Sequence, residues 1–544
     1  TVWTAIAHII TGVIGSGVLS LAWSVAQLGW IAGPLCMVVF GLITIVSSNL
    51  LCDCYRYPHP EVGHIRNRSY AEAVSSYLGK KSMWVAGIFL QESYYGYGIA
   101  YTITSAISMR AILKSNCYHK EGHDAPCEYG DSLFILLFGV VQVVFSQIPD
   151  FHNMEWLSIF AAFMSFGYTF IGLALGFAKV VGDGQIRGDF GGVPTTTVAQ
   201  KVWLSSQAIG DIAFAFTYNI ILLDIEDTLK APPPENKTMK KASTIAILIT
   251  SFFFLCCGCF GYAAFGNEAP GNLLTGFGFY EPFWLVDIAN ACIVLHLVGG
   301  YQIYSQPLFA VAERQIAKKH PNSRFVNEEY TVKLPLLPRF KLNLLRLCFR
   351  TVYVASTTGL ALLFPYFNQV LGVLGALNFW PLAIYFPVQM YLVQNKVRAW
   401  TGQWIVLQAF RVFCLLCTIL AFIGVLVPRP KKSRSQEEKD KEVELLSIQG
   451  IESDARQYVK FNIFLDEEDE EDRDNLAQAA YAGTFSLLPR GSNSPTKMKA
   501  EVRLELNRLL EELGVEDDEE ILVTLVPVAG DITIGSIKIV YVPY

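Results

Sequence analysis

The sequence predicts an all-α polytopic membrane protein of eleven transmembrane helices, followed by a small β-sandwich domain. Three observations carry that reading. The chain of 544 residues is 52% hydrophobic with a mean hydropathy of +0.36, too apolar for a soluble protein. Apolar windows of about 20 residues, the length that crosses a bilayer, recur eleven times before residue 428. Beyond about residue 440 the apolar residues alternate with a period of two instead, and the charge changes with them. Residues 1–430 hold 28 Lys/Arg and 23 Asp/Glu, whereas 431–544 hold 14 and 25, as if two proteins were joined by the charged stretch 431–439.

The apolar windows lie near 4–28, 31–52, 84–112, 131–149, 155–178, 203–225, 242–264, 283–310, 346–366, 370–392 and 404–427. With a cytosolic N-terminus, the inside loops 53–83, 228–241, 312–350 and 393–403 hold twenty Lys/Arg. The outside connections then hold only Lys114, Lys120, Lys179, Arg187 and Lys201, with Arg110 at the edge of its span. That excess places the N-terminus in the cytosol, and an odd number of spans puts the C-terminal domain outside, against the pull of Lys431, Lys432 and Arg434. Thr1 opens the chain without Met and without a basic signal region, which reads as a shortened N-terminus.

The first span, Ala7 to Trp23, is interrupted by Gly12, Gly15 and Gly17. Each glycine costs a helix about 1 kcal/mol relative to alanine. Unwound backbone survives within a bilayer only where protein or a water-filled cavity satisfies it, so Ile14-Gly15-Ser16-Gly17 reads as a binding site at mid-membrane. The half-helix beginning after Gly17 turns its N-terminal amides and partial positive charge toward an anion such as a carboxylate. Close packing of helices through small residues is the competing explanation. The sixth span is irregular too, with Gly210-Asp211 and Thr217-Tyr218-Asn219 at depth.

Ionisable groups inside spans are rare and mark functional candidates: His8, Glu92, Asp211, Asp287 and His296, of which His296, Asp211, Asp287 and His8 are the candidate proton carriers. His296 stands near the middle of its span, and imidazole titrates near physiological pH. Cys117 and Cys127 share an outside connection, where a disulfide persists; two free thiols are the alternative. Cys256-Cys257-Gly258-Cys259 has metal-like spacing but sits in an apolar span and reads as packing. No metal or other cofactor is implied. The sequons at Asn67 and Asn236 fall on inside loops, so glycosylation is not expected.

His8-Ile-Ile-Thr-Gly-Val-Ile-Gly-Ser-Gly-Val-Leu-Ser-Leu-Ala-Trp23, continuing to Pro34, resembles the opening helix of plant amino acid permeases of the amino acid/auxin permease group. The likeness extends through Ser115–His119, Gln147–Asn153, Gly210–Phe214, Asp227–Lys230 and Phe379–Leu382, over residues 1 to 427. The resemblance implies a LeuT-like core of two inverted five-helix repeats with an eleventh helix added, in which the first and sixth spans are both broken and face each other across the substrate. Carried over, the amides of Ile14, Gly15, Ser16 and Gly17 hold an α-carboxylate, carbonyls of Phe214, Ala215 and Phe216 hold the α-ammonium, and Tyr218 and Asn219 line the side-chain pocket. Sodium-driven members of that fold place adjacent Ser/Thr hydroxyls on the eighth span, yet Val286 to Tyr304 contains neither residue. A hard cation has lost its oxygen ligands there, so proton coupling is favoured. Gln389, where Glu is expected, and Glu92-Ser93, in a stretch usually uncharged, depart from the family pattern.

The implied function is a proton-coupled symporter importing neutral or broadly accepted amino acids across the plasma membrane, in contact with lipid and with no nucleic-acid partner. A receptor that binds amino acid without transport is the alternative. No nucleophile–base constellation or phosphate-cradling loop marks the chain as an enzyme or an ATP-driven pump.

In the tail, Val459–Leu465, Ile521–Val526 and Ile532–Val542 read as strands and Asn507–Leu513 as a short helix stopped by Gly514. Lys460-Phe-Asn-Ile463, Leu522–Pro527 and Gly530–Gly535 resemble the C-terminal KFDV domain of plant polyphenol oxidases. Those enzymes oxidise at a dicopper centre held by six histidines in a separate domain; all eight histidines here precede residue 321, so the resemblance implies a domain without oxidase activity. Leu488-Pro-Arg-Gly-Ser492 reads as a loop of that domain.

Overall fold

The computed structural model describes the chain apart from residues 123–126, 128, 149–154, 196–197, 278–282, 333–339, 427–441, 455, 467–479, 490–496, 508, 511–521, 531, 535 and 544. The charged linker 431–439 and parts of Gln147–Asn153, of the Asn507–Leu513 helix and of the Leu488–Ser492 loop lie outside the described residues. Contacts divide the chain into two compact units, Thr1–Pro428 and Arg429–Tyr544.

The first unit is helical: α1 (Val2–Val13), α2 (Gly17–Cys52), α3 (Tyr70–Glu121), α4 (Ser132–Ser146), α5 (Glu155–Asp183), α6 (Val198–Phe216), α7 (Asn219–Asp227), α8 (Glu235–Phe265), α9 (Phe283–Lys319), α10 (Arg324–Asn327), α11 (Leu344–Leu363), α12 (Phe367–Asn378), α13 (Phe386–Gln394) and α14 (Gly402–Leu426). Among the described residues, seven helical stretches are long and apolar enough to cross a membrane, and Val2–Val13 and Ser132–Ser146 are shorter apolar helices. Polarity is inverted relative to a soluble protein. Asp211, Asn219, Asn290, His296 and Gln302 are fully buried, while Ile31, Leu35 and Leu42 of α2 and Val406, Val412 and Leu416 of α14 are exposed, the distribution expected where the solvent is lipid.

Local sequence sets where the helices start and bend. Ser69 caps α3 by accepting from the Glu72 amide, and Glu72 accepts from the Arg68 amide in return. The third apolar window is therefore the later part of a longer helix that begins at Tyr70 and bends at Gly79, where φ is 84°. α2 bends at Gly29, φ 82°, between the first two apolar windows. A β-carbon on Gly29 would lie 2.2 Å from the Phe190 carbonyl oxygen, because the loop after α5 crosses the bend. That loop is fastened by the Val193 amide donating to Ala26 O (2.8 Å) and by Lys201 Nζ donating to Gln27 O (2.9 Å) and Val193 O (2.9 Å). Between α12 and α13 the helix is π-wound over Phe379–Tyr385. Pro381 lies inside that turn, where the absent N–H removes one regular rung.

Gly210 does not loosen α6. The helix runs unbroken to Phe216, and Gly210 instead lets α12 approach: a β-carbon there would lie 2.6 Å from Gly372 O, and one on Gly375 would meet Gly210 O. The expectation of irregular backbone at Gly210-Asp211 is corrected accordingly, since small residues facing each other are read as close packing.

On the α7 and α8 side, charged groups tie the 53–69 connection down. Two short strands, β1 (Arg56–Tyr57) and β2 (Ile65–Arg66), pair antiparallel. Glu235 accepts from Arg56 (2.7 Å) and Arg66 (3.1 Å), and Asp53 from Lys240 (2.6 Å) and Asn236 (2.9 Å). Both sequon asparagines are buried, Asn67 donating to Cys54 O and Asn236 to Asp53. A hairpin of β3 (Glu329–Val332) and β4 (Phe340–Asn343) lies in the 312–350 connection, where no strand was expected.

The second unit holds two antiparallel sheets. In one, β5 (Glu442–Asp454) lies at the centre, pairing with β8 (Lys497–Glu505), β10 (Ile532–Thr533) and β11 (Ser536–Pro543). In the other, β6 (Val459–Asp466) lies between β7 (Ala480–Leu487) and β9 (Leu522–Ala529). Leu446, Ile448 and Ile451 of β5 and Phe461, Ile463 and Leu465 of β6 share one core, so the inward faces of both sheets meet.

Candidate substrate site

Two helix breaks face each other in the first unit. α1 ends at Val13, Ile14 has φ −81° and ψ 84°, and α2 starts at Gly17 behind Ser16, whose hydroxyl is buried without a partner among the described residues. α6 ends at Phe216 and α7 starts at Asn219, leaving Thr217-Tyr218 between them. The breaks touch: a β-carbon on Gly17 would lie 2.8 Å from Ala215 Cα and 2.9 Å from its Cβ. A β-carbon on Gly12 would meet the end of the Ile221 side chain of α7 at 2.7 Å, a contact that side chain can relieve.

Backbone groups at the breaks divide into used and free ones. The Ile14 amide donates to Ile10 O (2.7 Å) and that of Gly15 to Val13 O (3.0 Å), so of the four amides expected to hold a carboxylate these two are occupied. Those of Ser16 and Gly17, in the first turn of α2, have no backbone partner among the described residues, because a helix start leaves its first amides unpaired. Across the gap, Phe214 O accepts from the Thr217 amide (3.1 Å), and Phe216 O is 3.5 Å from Thr44 Oγ1.

Tyrosines supply the rest. The Tyr168 hydroxyl donates to Ile14 O (3.1 Å) and Gly15 O (3.0 Å), that of Tyr304 to Gly12 O (3.0 Å), and that of Tyr97 to Thr217 O (2.9 Å). The Tyr97 ring stacks on Tyr304 at 4.0 Å and lies 4.9 Å from Phe214; a β-carbon on Gly15 would meet the Tyr101 hydroxyl at 2.9 Å. α3, α5 and α9 thus each send phenols to carbonyls freed by unwinding, which answers the requirement that such groups be satisfied away from water. These tyrosines were not among the expected site residues. Their signal was present, since Tyr94, Tyr97 and Tyr101 recur at helical spacing on one face of an apolar span.

Tyr218 and Asn219 spend polar atoms on neighbouring helices, the Tyr218 hydroxyl on Ser243 Oγ (2.8 Å) and Asn219 Nδ2 on Ser47 Oγ (2.7 Å). Both are fully buried, and these bonds tie the second break to α8 and α2.

The four ionisable candidates sit apart. His296 of α9 is fully buried, with Nδ1 2.9 Å from Ala161 O of α5. A carbonyl only accepts, so Nδ1 carries the hydrogen and Nε2, buried without a partner among the described residues, carries the lone pair. Its ring lies 5.8 Å from that of Tyr168, which holds the first break. Asp211 of α6 is buried against α12, one oxygen 3.3 Å from Asn368 Nδ2 and the other without a partner among the described residues. Asp287 accepts from Asn116 Nδ2 (2.7 Å). His8 is half-buried on α1, ahead of the first break. Cys117 and Cys127 are bridged, with sulfurs 2.04 Å apart.

Residues 1–427 match the family model described as transmembrane amino acid transporter protein. The chain belongs to this family. Among its relatives in Arabidopsis thaliana, probable amino acid permease 7 is 58% identical over 428 residues, covering 78% of this chain and 92% of the relative. Amino acid permease 3 is 52% identical over 426 residues, covering 78% and 89%. Lysine histidine transporter-like 4 is 26% identical over 429 residues, covering 77% and 86%. Residues 418–541 match a second family model, the chloroplastic polyphenol oxidase C-terminal domain. Two solved structures align with about a fifth of the chain. Latent aurone synthase is 38% identical, covering 22% of this chain and 23% of its own, with a TM-score of 0.19; latent apple tyrosinase is 38% identical, covering 21% and 24%, with a TM-score of 0.18. The chain is a fusion of a permease of this family with a polyphenol-oxidase-type C-terminal segment.

Proposed function

We propose that the permease unit is a proton-coupled symporter that imports neutral or broadly accepted amino acids across the plasma membrane by alternating access. Its relatives are named amino acid permeases, which supports amino acid transport as the general activity. The observation that carries the site assignment is the meeting of Gly17 and Ala215. On one side of that contact are the free amides and positive dipole end of α2; on the other are the carbonyls that end α6. An amino acid zwitterion is complementary to such a pair of walls, its carboxylate on the Ser16 and Gly17 amides and its ammonium on the Ala215 and Phe216 carbonyls. Substrate entry then parts Gly17 from Ala215.

In this reading the eleven apolar windows are eleven spans in two inverted repeats of five plus one, with the N-terminus cytosolic. The C-terminal domain is extracellular and takes no part in transport. His296, through its free Nε2, is the first candidate for the coupled proton, ahead of Asp211, Asp287 and His8. Competition binding to the purified chain tests the site: a neutral amino acid displaces a labelled one, whereas its amide or methyl ester binds at least tenfold more weakly. Amides that compete as well as the parent amino acids overturn the assignment.

A further inference from the structure

Glu92 lies away from the helix breaks, on the α3 face turned toward α11 and α12. It borders a cavity of about 450 Å³ whose walls are otherwise nearly all apolar: Tyr95 and Ile99 of α3, Phe364 following α11, and Val370 and Leu374 of α12. Pockets of 300–1,000 Å³ hold compact small molecules, and this one fits a ligand at the small end of that range. The cavity adjoins exposed apolar residues, Leu363 and Phe364, so a molecule dissolved in the bilayer has direct access.

The carboxyl is incompletely paired, with the Asn378 side chain as its polar neighbour. Its Oε2 is buried and has no hydrogen-bond partner among the described residues, and neither has Oδ1 of Asn378, the residue next to it. Asn378 is the last residue of α12 before the π-wound turn. A carboxyl bordering an apolar cavity reached from lipid favours a cation carrying its own apolar body, because such a ligand pairs with the acid while covering the cavity wall.

We infer that the cavity bordered by Glu92 is a binding site for hydrophobic primary amines, reached from the membrane and separate from the helix breaks. The ammonium pairs with Glu92 and the apolar body lies along Ile99, Val370 and Leu374. Asn378, beside the carboxyl, is followed directly by the π-wound turn, whose Ala383 O faces Asn219 Nδ2 at 3.5 Å, so one element joins the neighbourhood of the cavity to the second break.

The test uses the full chain in lipid nanodiscs with tritiated 4-phenylbutylamine as probe and 4-phenylbutan-1-ol as its neutral counterpart. Saturable amine binding is expected, the alcohol competing at least tenfold less well. Glu92→Gln should weaken amine binding at least tenfold and Glu92→Asp no more than about threefold. Val373→Trp, which fills the cavity without touching the carboxyl, should abolish saturable binding. An unchanged thermal unfolding midpoint of Glu92→Gln shows that the protein is folded and keeps this inference independent of the transport reading. Equal binding by wild type and Glu92→Gln, or by amine and alcohol, overturns it.

Discussion

Tyr97 and Tyr304 stack with ring centroids 4.0 Å apart and planes within 5°, one hydroxyl donating to Thr217 O in the second break and the other to Gly12 O beside the first. The two broken helices are therefore joined through one pair of rings, carried by α3 and α9. Each phenol thus holds a carbonyl of a different break.

Tyr97→Phe should keep the stacking and lose only the hydrogen bond to Thr217 O. A hydrogen bond of this kind contributes about 1 kcal/mol net, and more when the carbonyl left behind is buried. A five- to tenfold loss of transport rate is expected at unchanged membrane abundance, and Tyr97→Ala, which also removes the ring contact, should lose more. Initial uptake rates normalised to the amount of protein in the membrane measure both.

Gly29 should tolerate no side chain. Its φ of 82° disfavours every L-residue with a β-carbon, and that carbon would meet the Phe190 carbonyl oxygen and the Gly192 amide. Gly29→Ala is expected to cost about 2 kcal/mol or more, combining left-handed strain with a displaced loop. Thermal unfolding of the purified protein should show a lowered midpoint, whereas Gly79→Ala, with the same φ but nothing within 4 Å, should show a smaller drop.

The breaks and the bends differed in how well the sequence revealed them. Gly12, Gly15 and Gly17 within six residues of an apolar span made the first break readable, and the structure unwinds at Ile14–Ser16. The second break lies at Thr217-Tyr218, while Gly210 turned out to serve contact with Gly372; a glycine that unwinds a helix and one that admits a neighbour are identical in sequence. The Tyr168 and Tyr304 contacts were invisible for another reason, since each joins residues more than 150 positions apart. In the tail, β6 and β9 follow clear alternation, whereas β7, Ala-Tyr-Ala-Gly-Thr-Phe-Ser-Leu, contains small residues that blur the period and was not anticipated.

His296→Gln should separate binding from coupling. Glutamine can still donate to Ala161 O and fill the space, but it has no basic Nε2 to take up a proton. Exchange of internal for external amino acid should continue at close to the wild-type rate while accumulation against a gradient falls to background. Wild-type accumulation in this variant would move the proton to Asp211 or His8.

The measurement that bears most directly on the account is uptake of a neutral amino acid into proteoliposomes containing the purified full chain, with an imposed pH gradient, in sodium and in choline buffers. The account predicts accumulation above the external concentration when the outside is acidic, the same in both buffers, and loss of accumulation when the gradient is collapsed. Accumulation that requires sodium, or saturable binding with no accumulation under either condition, would contradict it.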